Sequence, residues 1–353
     1  MFKFFVLIII CFCSFSCSKL DDDYSCQLEP LTVNLSRIEL LQIFDATIQE
    51  KLASIETPNA DGSLGRNKSA YFHVRFQMGL TSQADYAVGK QNSVALENAI
   101  KAIEYSFEHQ LSAGDFEIEV PSDLNGESAS ETDLASGTAF FMAGLGLALI
   151  DFEQSNWYQS IENSAYKNRI ETLRPSIILA GNWLQTKANL LLESDAKAPN
   201  RLFFDAIAFY SIGSWTNNPE MLATSELFIQ KALSLKDSKG YFLELDGWDS
   251  SYQGVGINNG LNLYSILSDT SSFKSNLWNE ISCASNWQKS RILSNGKIST
   301  KGNTRVHLFG ESFLGKRKKV DWVDTMNAFY MLYYYSQNES YLENAKAIYK
   351  HYI

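Results

Sequence analysis

The feature that most constrains this 353-residue chain is a recurring helical rhythm. Five segments begin in a polar stretch and run into an unusually apolar, small-residue helix. They start near Ser69, Asp133, Asn200, Tyr252 and Asp321, at spacings of 64, 67, 52 and 69 residues. Each interval also holds a second, more amphipathic pattern. Within these patterns apolar residues recur near the helical period, as in Ile38, Leu41, Phe44, Ile48 and Leu52, or Leu96, Ile100, Ile103 and Phe107. The spacing predicts helices over 37–55, 92–111, 135–151, 157–173, 175–193, 201–215, 219–235, 256–268, 273–292, 322–336 and 339–352. Pro175 and Pro219 fall where a first helical turn tolerates proline. Extended pieces are expected only at 115–120, 240–245 and 303–309. The chain therefore reads as all-α, a repeated helical hairpin with apolar helices inside and amphipathic helices outside.

Composition supports one large domain over 36–353. The chain is 45% hydrophobic and 13% aromatic, enough to bury a sizeable core. The run Thr138 to Ile150 is too short to span a bilayer and reads as a buried core helix, with Gly144 and Gly146 allowing close helix approach. A formal net charge of −10 gives no electrostatic case for nucleic acid or an anionic membrane surface. There is no HExxH, GxSxG, Walker loop or dinucleotide fingerprint. Four scattered histidines and the two cysteines that follow the N-terminal region make no zinc pattern.

The N-terminal region carries an address. Lys3 precedes an apolar run from Phe4 to Phe15, and Ser14-Phe15-Ser16-Cys17 closes it with small residues on a cysteine. This ending resembles the lipobox of bacterial lipoproteins. The acidic run Ser18-Lys19-Leu20-Asp21-Asp22-Asp23 resembles the export tag of surface lipoproteins in Bacteroidota-type bacteria. The resemblance implies a signal peptide over 1–16, a lipid on Cys17, a flexible tether over 17–35, and an outer-membrane, cell-surface location. The membrane contact would then be through the lipid anchor alone. Cys26 and Cys283 remain in the mature chain, and their spacing does not show whether they pair.

Hairpins of this length, five to six in a ring with a few short strands in loops, resemble in layout the (α/α) toroids of glycosidases and polysaccharide lyases. An open helical-repeat solenoid of the tetratricopeptide type is the alternative, and the long loops count against it. Three of those loops carry chemistry. Asp115 to Asp133 clusters acidic oxygens, and calcium is the cofactor such a cluster would take. Gly240 to Asn259 holds Asp246, Trp248, Asp249, Tyr252 and Gln253: flat rings for sugar faces, carboxylates and an amide for hydroxyls. Ser294 to Asp321 holds Arg305, His307 and Glu311 and then the basic run Lys316 to Lys319, suited to a uronate carboxylate or a sulfate. His73 and Arg75 stand out earlier, in an apolar context.

The layout and the address together imply an enzyme on extracellular polysaccharide. Glycosidic hydrolysis would use Asp246 and Asp249. Uronate β-elimination would use His73 or Tyr252 as base, with Arg305 and His307 near the uronate. The alternatives are a non-catalytic glycan-binding lipoprotein beside an outer-membrane transporter, using Trp248 and Tyr252 as stacking platforms, and a helical-repeat interaction protein.

Overall fold

The computed structural model describes residue 26 and residues 28–69, 71–119 and 129–353. Thirteen α-helices form among them. Their starts are set by side-chain caps. Ser36 caps α1 (Arg37–Ile43), and Asp45 caps α2 (Ala46–Ile55). Asn92 caps α4 (Ser93–Glu108), and Ser130 with Asp133 builds a capping box on α5 (Glu131–Gln154). The sequence pattern 37–55 is thus two helices, broken at Phe44, whose extended backbone buries its ring. The patterns 157–173 and 175–193 instead merge into one helix, α6 (Ser164–Thr186), followed by α7 (Ala188–Ser194). Pro175 lies inside α6 on its exposed side, where water can satisfy the backbone carbonyl that proline leaves free.

The remaining elements are α3 (Leu80–Lys90), α8 (Pro199–Thr216), α9 (Pro219–Ser234), α10 (Ser250–Ile266), α11 (Lys274–Lys289), α12 (Trp322–Ser336) and α13 (Glu339–Tyr352). Helices α3, α5, α8, α10 and α12 pack side by side in that order as an inner wall. Helices α4, α6, α9, α11 and α13 pair with them outside. The α1–α2 pair closes the ring by packing on α3, while the Phe44 ring lies 5.5 Å from Tyr330 on α12. The fold is an (α/α) toroid of five hairpins and a closing pair. Helix α5 is long and apolar enough to cross a membrane by composition, but neighbours cover nearly all of it, including Ala139 to Leu149. Gly146 lets it approach α8 so closely that a Cβ there would strike Ser211.

One repeat was not anticipated from the sequence. After each of α4, α9 and α11 the chain makes the same small hairpin, with bridges Gln110–Phe116, Lys236–Phe242 and Ile292–Ile298. Each hairpin has a positive-φ glycine at the same place, Gly114, Gly240 and Gly296, and each buries its last residue. A Cβ on these glycines would meet backbone of the next outer helix, Leu179, Cys283 and Ala347 respectively. The expected strand at 240–245 is this hairpin, and 303–309 forms a turn. The only two-stranded sheet among the described residues is β1 (Ser312–Phe313) with β2 (Lys316–Arg317).

The far end of the ring is held by one buried cation. Arg37, 1% exposed, donates to both oxygens of Asp151 on α5 at 2.7 and 3.1 Å, to Asp85 on α3 at 2.7 Å and to Asn262 on α10 at 2.9 Å. Burial disfavours its charge, and the two carboxylates more than restore it. Residues 28–34, expected to be tether, lie against the body. Thr32 and Val33 N–H donate to Tyr335 O, and Trp278 Nε1 donates to Glu29 O. Cys26 and Cys283 form a disulfide with a Cα–Cα distance of 5.1 Å.

Two stability effects follow. Arg37→Ala, which leaves Asp151 buried without its partner, should cost about 3–5 kcal/mol in a denaturant titration. Cys283→Ser should cost about 2–5 kcal/mol, because the bridge closes a very long loop, and a reducing agent should lower the melting temperature of the parent but not of the variant.

Candidate active site

Asp249 is the N-cap of α10, so Tyr252 and Gln253 sit on the first helical turn and Asp249 at its start rather than in a loop. The Asp249 carboxylate is fully engaged. Its Oδ1 accepts the N–H groups of Ser251 (3.0 Å) and Tyr252 (3.2 Å) and Asn303 Nδ2 (3.2 Å). Its Oδ2 accepts the N–H groups of Arg305 (2.9 Å) and Val306 (2.7 Å). Ser250 adds bonds to Asn303 Oδ1 and Ser299 O, and Thr304 N–H donates to Trp248 O. The segment 299–306 is thereby stitched onto the start of α10.

That stitching places Arg305 over the Tyr252 ring, 4.2 Å from its centre. Arg305 Nε donates to Glu311 (2.8 Å), and its NH1 donates to Glu244. The Tyr252 hydroxyl donates to Glu311 at 3.0 Å, and Lys318 donates to the Tyr252 hydroxyl and pairs with Glu311 at 2.9 Å. Five side chains from three segments thus share one network. Burial pushes Glu244 up to about 7, with Arg305 offsetting part of the shift. Burial lowers Lys318 to about 8 in spite of Glu311. Burial also pushes the Tyr252 phenol up. Glu311 is the opposite case. Burial would raise it, but hydrogen bonds from Arg305 and Lys318 hold it at about 2.

Arg75 borders this network. Its guanidinium lies 3.9 Å from the Phe140 ring centre and 5.0 Å from that of Phe313, at cation–π distance. Among the described residues no carboxylate lies within ion-pair distance of it. Burial lowers it to about 10, and the nearby charge of Arg201 adds to that. Arg201, at the start of α8, is held by Asp195 at 3.0 Å. Phe140 in turn packs on Phe204 at 4.4 Å. The β1–β2 hairpin carries Phe313 across His73 and Arg75 and is fixed by Arg66, which donates to Phe313 O and Leu314 O.

The structure brings together Tyr252, Arg305, Glu311 and Arg75 of the residues singled out in the sequence. It separates others from them. Asp246 is 75% exposed and pairs with Lys197, so it does not face Asp249 as a carboxylate partner. Asp249 has no oxygen left for a substrate, because it serves as cap and clamp. Gln253 is a buried bolt between Phe242 N–H and Ala284 O. Trp248 is half-buried, edge-on to Tyr241, and lies against Gly302 instead of standing as a free platform. His307 lies on the 305–310 turn, where its Nδ1 accepts Phe309 N–H. His73 is buried under Phe313 and accepts Arg75 N–H. Burial, with the Arg75 charge, lowers it to about 4, so it is neutral at pH 7. Of the proposed calcium loop, Asp123 and Glu127 lie outside the described residues. Glu117 pairs with His109, Glu131 with Lys187, and Asp133 caps α5.

Sequence reasoning missed Glu244, Arg201 and the aromatic seat Phe140–Phe313. Glu244 sits just after the second small hairpin, and recognising the repeated glycine turn would have placed it at the mouth of the ring.

No protein-family model matches the chain, and no curated protein does. Among solved structures it is similar to a D-mannose isomerase: 14% identity, 87% of this chain and 83% of that one, TM-score 0.49. It is also similar to a sugar epimerase from a ruminal bacterium: 11% identity, 89% and 92%, TM-score 0.46. A third is an unsaturated glucuronyl hydrolase from Streptococcus agalactiae, at 10% identity, 88% and 95%, TM-score 0.41. At these values the reading of the site rests on its own residues.

The roles assigned to the two aspartates are separable. Asp249→Ala should cost about 2–4 kcal/mol by loss of a cap and of charge-assisted bonds. Asp246→Asn, which removes the charge but keeps a side chain that tolerates the positive φ of 66° at this position, should change stability by less than about 0.5 kcal/mol, as exposed pairs do, and leave turnover intact. Thermal melts of the two variants, with an activity assay, check both.

Proposed function

We propose that this chain is a carbohydrate-active enzyme that binds a uronate carboxylate at Arg75 and removes the proton α to it. The observation that carries this reading is an arginine without an acidic partner beside a tyrosine, a lysine and a glutamate poised for proton transfer. Pairing of the carboxylate with Arg75 would stabilise the charge that develops when the C5 proton leaves. The free amine of Lys318, lowered to about 8, is the net base: in one concerted relay it takes the Tyr252 hydroxyl proton as the Tyr252 oxygen takes the C5 proton, so the phenol that burial raises never stands as a phenolate. The electron pair forms the C4–C5 double bond, the C4–O bond breaks, and Glu244 in its protonated form supplies the proton to the leaving oxygen. Arg305 holds Tyr252 and Glu311 in register. Hydrolysis through Asp246 and Asp249 has no comparable geometry, since one is a solvent-exposed ion pair and the other a saturated cap.

We further propose that the protein works outside the cytosol as a lipid-anchored surface protein, modified at Cys17. The Cys26–Cys283 bridge supports an oxidising compartment, and the N-terminal resemblance supplies the anchor. Extracellular acidic polysaccharide is then the substrate class. Radiolabelled palmitate should enter the parent and not Cys17→Ser.

Incubation with acidic and neutral polysaccharides should give ultraviolet absorbance from unsaturated uronates with the acidic ones alone. Tyr252→Phe should lower kcat by about 10²–10⁴. New reducing ends without that absorbance would instead mean hydrolysis, and binding without either signal would mean a capture protein. The rate should be bell-shaped in pH. It rises as Lys318 loses its proton near 8 and falls as Glu244 loses its own near 7, giving a maximum between the two. Arg75→Met should raise KM for acidic substrate and remove the preference for acidic over neutral glycan.

A further inference from the structure

Behind the Phe140–Phe204 pair the toroid axis holds a cavity of about 320 Å³. That is the lower end of ligand-pocket sizes and leaves room for one small molecule rather than a polymer. Its polar wall comes from the end of α2, from α10 and from α12: Glu56, Asp321, Asp324, Asn258 and Asn327. Apolar lining comes from Phe44, Leu52, Met78 and Met331. Arg37 is the one cationic side chain among the described lining residues, and Asp151 and Asp85 already hold its charge.

Glu56, Asp321 and Asp324 have no such partner. Among the described residues no lysine or arginine lies within ion-pair distance of any of them. Asn258 donates to Asp324 at 2.9 Å, and Asn327 donates to Asn258 at 2.9 Å, which orients both amides along the wall. Burial raises all three carboxyls, with the charge of Lys68 offsetting part of the rise at Glu56 and that of Lys318 part of it at Asp321, while no cation offsets it at Asp324. A second observation is independent of the acids. Gln49 also lines the cavity, is 4% exposed, and leaves its Oε1 without a hydrogen-bond partner while its Nε2 is bonded to Leu41 O. The unmet Gln49 oxygen is an acceptor and the carboxyls become acceptors once ionised, so the ligand that favours their ionised form is a donor with positive charge.

We propose that the axial cavity binds a small polyhydroxylated ligand through a protonated amine, as in a hexosamine whose amine is free. The carboxyls take the ammonium, the amides take hydroxyls, and the apolar lining takes the sugar's C–H face. This site is chemically opposite to the Arg75 end and does not depend on the uronate reading.

The test is isothermal titration of the full mature chain with glucosamine, N-acetylglucosamine and glucose at neutral pH. Glucosamine should bind one to one, and acetylation or loss of the amine should weaken binding by at least about tenfold. Asp324→Asn should weaken glucosamine by a similar factor. Gly79→Ala is the second variant, because a methyl there would strike the Glu56 carboxylate, and it should also weaken glucosamine if Asp324→Asn fails to fold. Tyr252→Phe should leave glucosamine affinity unchanged, even if the uronate chemistry itself proves wrong. Equal affinity for the three sugars, no binding, loss of binding in Tyr252→Phe, or binding of calcium alone would each overturn the proposal.

Discussion

The Asp249 carboxylate is the constraint on which the open end of this toroid depends. Five donors from two distant segments converge on its two oxygens, so the start of an inner helix and the long 294–321 loop become one rigid piece. Without that clamp Arg305 would have no reason to lie over Tyr252, and neither Glu311 nor Lys318 would be delivered to the phenol. A buried carboxylate is tolerated because every lone pair facing the protein is met by an N–H. Arg37 does the corresponding work at the far end, where one guanidinium ties α1, α3, α5 and α10. The ring is thus pinned at each end by a single buried charge that gathers four or five hydrogen bonds, and the apolar inner helices fill the space between.

This arrangement explains why charged groups at the mouth can differ so much in proton affinity over a few ångströms. Glu311 receives three cationic or hydroxyl donors and stays ionised. Glu244 shares one cation and lies deeper, so its proton is held near neutrality. Lys318 is a half-buried ammonium that only partly recovers its charge from Glu311. Such divergence among neighbouring groups is the usual physical mark of a site that moves protons. Arg75 then stands out as a charge seated on aromatic faces rather than on carboxylates, which leaves its hydrogen-bond donors for a ligand.

Much of the architecture was legible in the chain because a toroid is a periodic object. The inner helices read as small and apolar, the outer ones as amphipathic, and the spacing predicted the hairpins. The boundaries failed where tertiary packing overrode local pattern, as at Phe44, and where a cap lay upstream of the apolar run, as at Asp249. That second error moved Asp249 and Tyr252 from a loop to a helix start and changed their meaning. Tyr252, Arg305 and Glu311 were visible because they cluster in two polar stretches. Glu244 and Phe140 were not, because one looks like an alternating strand residue and the other like core. Asp246 looked catalytic by composition, and only the exposed geometry of its turn shows it pairing outward with Lys197.

The central claim is that Tyr252, with Lys318 behind it, takes a proton from carbon beside a carboxylate held by Arg75. The most direct measurement is proton–deuterium exchange at C5 of a uronate-containing glycan in heavy water, followed by nuclear magnetic resonance. The account predicts exchange or elimination at C5 with the parent protein and its loss in Tyr252→Phe, with glycan binding retained. Bound glycan that keeps its C5 proton with the parent protein would contradict it.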